Sequence, residues 1–384
     1  MNKGLYIHIP FCHSICSYCD FCKRVSTISQ MEKYIDYLEK EINLHSNLFS
    51  NNTFDTIYIG GGTPSMIPLN FLEKLFILLK NKIDFNNVKE FTIEINPEDL
   101  SVDLTDLLVK YKVNRVSIGI QTFSEKVLLL IGRKFNFELF KQAFEYLKTK
   151  ITNINLDLMY AIPTQTLSDL KDSIEKVLEL NPTHLSIYSL ILEEKTKLYF
   201  DLMNNKIKPV SEDLELQMVD TIHKLIFPKY EMYEISNYKL KSDNDYESIH
   251  NLKYWQNKEY LGIGISSASY ISDVRFKNTE SLKEYYELLD KSILPIVEKE
   301  FLSEQDKKKY ELIVGLRLIK GINVDEYFNK YQTSIFDDFI TIKDLIDKGY
   351  LEYFNQQLFI SPKYLYVMNS ILEEIIWGKL WNKY

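Results

Sequence analysis

Alanine is nearly missing: in 384 residues it stands only at positions 143, 161 and 268. A chain so poor in the strongest helix former must build its helices on amphipathic pattern rather than propensity. Glycine and proline are also few, 12 and 10, which excludes a long low-complexity or collagen-like tract. No stretch approaches the ~18 apolar residues of a membrane helix, and the opening MNKGLYIHIPFC has too short an apolar run for a secretory signal. A cytoplasmic location, free or peripheral at the membrane, is therefore expected. Positive charge is in deficit, 46 Lys+Arg against 54 Asp+Glu, for a net charge of −8. That balance repels a phosphate backbone, so nucleic acid, and with it an RNA-modifying activity, is disfavoured.

What remains is ordinary globular composition, 45% hydrophobic and 26% charged. The length predicts one large domain with a smaller one. Short β-branched or aromatic runs begin near positions 5, 54, 90, 115, 154 and 184, and helix-period stretches follow over 31–48, 69–80, 103–111, 138–148 and 167–179. Strands alternating with helices signal a parallel α/β sheet. Six units, not eight, predict a partial (β/α)6 barrel over 1–210. The pattern fades over 211–299, read as a segment that caps the barrel. From 300 to 384, helices over 303–318, 324–331 and 335–348 precede a hairpin near 350–360 and a final helix. This predicts an α+β, winged-helix-like domain, with Asp337, Asp338, Asp344 and Asp347 making a poor surface for phosphates.

All four cysteines, Cys12, Cys16, Cys19 and Cys22, fall in CHSICSYCDFC, directly after the first expected strand. So tight a cluster points to metal chemistry rather than disulfides. Zinc prefers paired C-x2-C knuckles, and ferredoxin runs have C-x2-C-x2-C-x3-C-P. C-x3-C-x2-C instead gives three thiolates, Cys12, Cys16 and Cys19, to a 4Fe–4S cube and leaves one iron open. A zinc site, or a closed cluster using Cys22, is the alternative. Further on, IYIGGGTPS runs from a strand into a glycine turn with Gly61, Gly62 and Thr63, and Glu94, Gln121 and Asp157 sit inside apolar strands. Polar side chains there are costly unless partnered, by a ligand or by one another.

The cysteine loop resembles that of the radical S-adenosylmethionine (SAM) superfamily, in which SAM chelates the open iron and is cleaved reductively to a 5′-deoxyadenosyl radical. YIHIPFC, IYIGGGTPS, E-x-NPE, SIGIQTF, DLMYAIPTQT and HLSIYSLILEEKT are similar to the oxygen-independent coproporphyrinogen oxidase family over almost the whole chain. The resemblance implies that Tyr6 and Tyr18 contact SAM and that Gly61, Gly62 and Thr63 meet its methionine end. It also implies that Glu94, Gln121, Arg133 and Asp157 hold its amino group, ribose and remaining polar edges. The decarboxylating oxidases carry a further cysteine two residues after the third ligand and a long preceding segment; here Phe21 stands at that position, and eleven residues precede Cys12. Both features, and the winged-helix-like end, resemble the haem chaperone branch. That branch implies haem as cargo, recipient haemoproteins as partners and an electron donor for the cluster; decarboxylation of coproporphyrinogen is the alternative activity. The string His250-Asn251-x-x-Tyr254-Trp255 makes His250 the candidate haem ligand, against the plain reading of a hydrogen-bonded core histidine. His8 and His13 flank the cluster and are expected to support it or the SAM pocket.

Overall fold

The computed structural model describes residues 2–49 and 53–377. Six strands, β1 (Lys3–Ile9), β2 (Phe54–Gly61), β3 (Glu90–Ile95), β4 (Arg115–Gln121), β5 (Asn153–Tyr160) and β6 (His184–Ser189), pair in parallel in chain order. Helices Ile28–Leu44, Leu69–Lys80, Val102–Lys110, Phe137–Lys148 and Leu167–Leu180 connect them. Side-chain oxygens mark where most of these helices start. Ser101 and Asn136 each accept from the backbone three residues on, and Thr27 and Thr166 form capping boxes with Gln30 and Asp169. Short helices such as Glu125–Leu130 and Lys197–Met203 went unanticipated.

The two faces of the strands differ sharply. Ile7, Ile57, Ile93, Ile118, Leu156 and Leu185 are 0% exposed and form the core. The alternate residues are polar and meet one another inside the barrel. Tyr58 bonds Glu94, Asn155 bonds Ser117 and Asp157, and Tyr188 bonds Gln121. Period-two alternation thus sends apolar side chains to the helices and polar ones to the lumen.

The segment expected to cap the barrel extends the sheet at both edges. Tyr260–Ile263 pairs in parallel with β1, and Ala268–Ile271, Val274–Asn278 and Ile296–Phe301 follow outward; beside β6 come Asn237–Leu240 and then Tyr230–Glu234. An open parallel edge leaves backbone groups unpaired, and these added strands satisfy them. Glu41, wholly buried on helix Ile28–Leu44, ties the extension down. It accepts from the Gly264 amide (2.8 Å), Asn278 Nδ2 (2.6 Å) and the Tyr285 hydroxyl (2.5 Å). No helix among the described residues is long and apolar enough to cross a membrane.

The chain divides into two compact units. The first comprises the chain up to Glu231, Tyr238–His250 and Glu259–Glu300; the second takes Met232–Asn237 and Asn251–Lys258 as well as the chain from Phe301 on. Within the second, strand Ile322–Asn323 lies between helices Glu304–Gly315 and Val324–Tyr331 in the chain, and Gln357–Ile360 lies between it and Leu351–Phe354 in an antiparallel sheet. The single helix expected over 335–348 is two, Ile335–Asp338 and Thr341–Asp347. Phe339 leaves helical geometry (φ −132°, ψ 82°) and packs into the same core as Ile335 and Ile342. The final helix, Met368–Trp377, follows the hairpin.

Candidate functional site

The cysteine loop leaves the C-terminal end of β1 and is fastened at several points. The Cys12 amide donates to the Arg24 carbonyl (3.0 Å) and the Arg24 amide to that of Pro10 (2.7 Å), closing the loop at its base. Ser17 binds the carbonyls of Ile131 and Leu130, and its own carbonyl receives the Leu198 amide. Those contacts use two of the short helices that the sequence did not announce. His8 braces the inner side: its Nε2 donates to the Cys22 carbonyl (2.8 Å), and its Nδ1 accepts from the Tyr6 hydroxyl (3.0 Å). His13 instead reaches out to Asp99 (2.7 Å). Burial pushes the Cys12 thiol up to about 11, and also raises Cys16 and Cys19. Cys22 is half-buried, its Sγ 3.9 Å from the Glu280 carbonyl.

The glycine turn ending β2 is stitched to this loop, the Gly62 amide to the Ile9 carbonyl and the Thr63 amide to that of Phe11, both at 2.7 Å. Gly61 adopts φ +118°, a conformation closed to other residues, and so turns its amide onto Glu94 Oε2 (3.0 Å). At Gly62 a Cβ would lie 2.9 Å from Cys12 Sγ. A relay of polar contacts runs from there: the Thr63 hydroxyl donates to Cys12 Sγ (3.6 Å), Asn96 Nδ2 to Thr63 Oγ1 (3.4 Å), and Arg133 Nη2 to Asn96 Oδ1 (2.8 Å). Arg133 also hydrogen-bonds the Tyr18 hydroxyl and lies 3.6 Å from Glu98. A residue that reads in sequence as a surface arginine is therefore buried beside the cysteines.

Gly119 completes the arrangement. A Cβ there would stand 2.9 Å from Gln121 Nε2, 3.4 Å from Arg133 Nη1 and 4.0 Å from Asp157 Oδ2, so the bare backbone is what lets these three side chains converge. Beside it β4 bulges, with Gln121 at φ +69° and its Oε1 accepting from the Tyr188 hydroxyl (3.0 Å). Glu94 accepts from the Tyr58 hydroxyl (2.8 Å) as well as from Gly61, yet burial pushes it up to about 7; burial raises Asp157 too. Sequence reasoning missed Gly119, Tyr58, Asn155 and Tyr188. The available signal was the polar parity of whole strands rather than their single outstanding residues.

His250 does not lie open to a ligand. It is 1% exposed, its Nδ1 is 2.9 Å from the Thr56 hydroxyl and its ring packs 5.2 Å from that of Tyr58. The Glu90 carboxylate holds the local backbone, accepting from the Ile249 and His250 amides (2.8 and 3.0 Å). The imidazole is here a hydrogen-bonded group within the barrel core, as the plainer of the two sequence readings has it.

The radical SAM superfamily model matches residues 6–177. The haem chaperone HemW of Lactococcus lactis is 34% identical over 379 residues, spanning 97% of each chain. The chain belongs to the HemW family of radical SAM proteins. HemW of Bacillus subtilis is likewise 34% identical, over 90% of this chain and 92% of its own. The oxygen-independent coproporphyrinogen III oxidase of Salmonella typhimurium is 28% identical over 75% of this chain and 65% of its own. The solved coproporphyrinogen III oxidase of Escherichia coli, described as a radical SAM enzyme, shares the fold at a TM-score of 0.87 and 24% identity, covering 98% of this chain and 91% of that one.

Radical SAM membership implies a 4Fe–4S cluster and SAM, and the residues present fit both. No group of three or more His, Cys, Asp or Glu among the described residues is arranged around a single ion. A cube asks for something else, thiols set apart so that each takes its own iron. The bare thiols are held protonated by burial, and iron would displace those protons as it binds. Gly62 beside Cys12 and Gly119 beside Asp157 leave open the space that the ligand's near and far ends need.

Proposed function

We propose that this HemW family chain is a haem chaperone whose cargo site adjoins a cluster held by Cys12, Cys16 and Cys19. SAM sits beside that cluster, with Tyr6, Tyr18, Gly61, Gly62 and Thr63 around its methionine end and Glu94, Gln121, Arg133 and Asp157 around its remaining polar groups. When bound, the cluster supplies the electron that cleaves SAM. The chain's own residues do the holding. Gly61 and Gly62 admit the ligand's backbone-like end, the Arg133–Asn96–Thr63 relay orients the loop, and the paired carboxylates face a cationic ligand.

One observation carries the chaperone reading: sequence identity to a haem chaperone is 34% over 97% of the chain, whereas that to an oxidase is 28% over 75% of it. In accord with it, Phe21 replaces the extra cysteine that the oxidase resemblance calls for and stands 69% exposed, with Ile15 56% exposed on the same loop. Exposed apolar side chains beside a cofactor are surface of the kind a porphyrin face covers. An electron donor for the cluster, recipient haemoproteins and a cytoplasmic setting belong to the same reading.

The test is anaerobic reconstitution followed by haem titration and a coproporphyrinogen assay on one sample. Stoichiometric haem binding without carbon dioxide release is expected; decarboxylation with SAM and a reductant would overturn the reading. In iron analysis, alanine at Cys12, Cys16 or Cys19 should abolish the cluster, and Cys22→Ala should keep it. Equal loss from Cys22→Ala would mean a closed four-cysteine site.

A further inference from the structure

Arg115 opens β4 and heads the fully buried side chains by size, 1% exposed. By strand alternation it faces the lumen with Ser117 and Gly119. Its Cα is level with Thr92 on β3 and Asn153 on β5. Across these three neighbouring positions Arg115 Nε, Thr92 Oγ1 and Asn153 Oδ1 all lack a hydrogen-bond partner. A guanidinium buried on such terms is costly unless its charge is needed where it lies.

What it faces is the proposed SAM site. Glu94 follows Thr92 by two residues, roughly 7 Å further up the lumen at ~3.3 Å per residue. The charge of Arg115 acts on Glu94, Asp157, Tyr58 and His184. We propose that the Arg115 guanidinium is the counter-charge that fixes Glu94 and Asp157 as the two anionic walls of the SAM site, acting through them without touching the ligand. This rests on the reading of that site as a SAM site.

The other groups facing the pair do not replace it. Glu94 has the Tyr58 hydroxyl and the Gly61 amide as donors, and Asp157 has Asn155 and Ser186. Burial works against both carboxylates, and the charge of Asp157 raises Glu94 further. Arg133 also acts on Asp157, but it is engaged by Asn96, Glu98 and Tyr18. His184, lowered by burial and by Arg115 itself, adds no second cation. Tyr188, raised by burial, stays a neutral donor. Arg115 is thus a positioning residue, and SAM, a sulfonium with an ammonium group, is the ligand its effect favours.

The test is SAM binding to cluster-loaded protein by equilibrium dialysis from pH 6 to 9, for wild type, Arg115→Gln and Arg115→Lys. The amino group of SAM titrates identically in all three, so the displacement between variants is what is read. In Arg115→Gln the inflection should rise by about one pH unit, making binding roughly tenfold weaker at pH 6, about fivefold weaker near pH 7 and nearly wild-type at pH 9. Arg115→Lys should keep the wild-type inflection. Arg115→Gln with the wild-type affinity and inflection, or weakened by the same factor at every pH, overturns the proposal. If Arg115→Gln fails to load its cluster, Arg115→Lys decides: a retained inflection supports the counter-charge, and a pH-independent loss overturns it. Wild-type protein that does not bind SAM would instead remove the reading of the site beneath it.

Discussion

At the scale of single residues, burial and donors compete at each lumen or core carboxylate. Glu41 accepts three hydrogen bonds, yet desolvation pushes it up to about 7. The unfolded chain releases this proton near the ordinary glutamate value of 4.5, while the folded chain keeps it to about 7. Its contribution to stability is therefore full below the ordinary range and is lost as pH rises to about 7. Glu41→Gln should remove that slope from urea midpoints measured over pH 4–8. It should also cost about 1–3 kcal/mol, because an amide N–H2 then confronts partners that all donate. An unchanged slope would mean that another group sets it. His250→Ala should likewise lower stability by about 1–3 kcal/mol, stranding the Thr56 hydroxyl, and leave the Soret band of added haem where it was. A shifted Soret band would return His250 to the iron.

Cys12, Cys16 and Cys19 stand out in the sequence because their spacing differs from the paired knuckles of zinc sites and from ferredoxin runs. Arg133 was legible only by resemblance: it follows Gly132 at the end of a short helix, where nothing local distinguishes a buried arginine from an exposed one. Arg115 was not legible, because a strand that starts with a charge reads as a strand edge rather than as a side chain folded inward.

At the scale of elements, six strands were legible from their β-branched runs, and their starts agree with those expected to within two residues. The break at Phe339 was not, since Phe339 and Ile340 continue a helical apolar period and only packing against Ile335 and Ile342 ends the helix. Strand-like pieces near 230 and 260 stand out in the sequence, but other added strands such as Ala268–Ile271 and Val274–Asn278 were missed because four- and five-residue pieces are too short for periodicity to stand out. The bulge in β4 gives its own expectation. Gly119→Ala puts a methyl group where Gln121, Arg133 and Asp157 meet and should weaken SAM binding at least tenfold, about 1.4 kcal/mol, with iron content unchanged. Equal loss of iron and SAM would mean that the strand, and not the pocket, had been disturbed.

At the scale of the whole molecule, the second unit is discontinuous in sequence. Within it, the Ile319 amide donates to the Tyr233 carbonyl and the Ile235 amide to that of Arg317, so a chain ending at Glu300 loses the partners of an internal segment. Such a truncation should melt at lower temperature and bind a hydrophobic dye, with Glu234, now buried, turned to water. A melt equal to that of the full chain would show that the two units fold independently.

Because its strands turn their apolar faces outward, the barrel lumen is a hydrophilic space, and before any ligand enters it the unpaired Arg115, Thr92 and Asn153 atoms call for water. Calorimetry can therefore tell the two proposed ligands apart. SAM exchanges solvent for polar contacts, so its binding enthalpy should change little with temperature. Haem covering Ile15 and Phe21 removes apolar surface from solvent and should show a distinctly negative heat capacity change. A molecule with these two opposite slopes would hold its cofactor and its cargo by different forces, so that warming or salt could release one while the other stays bound.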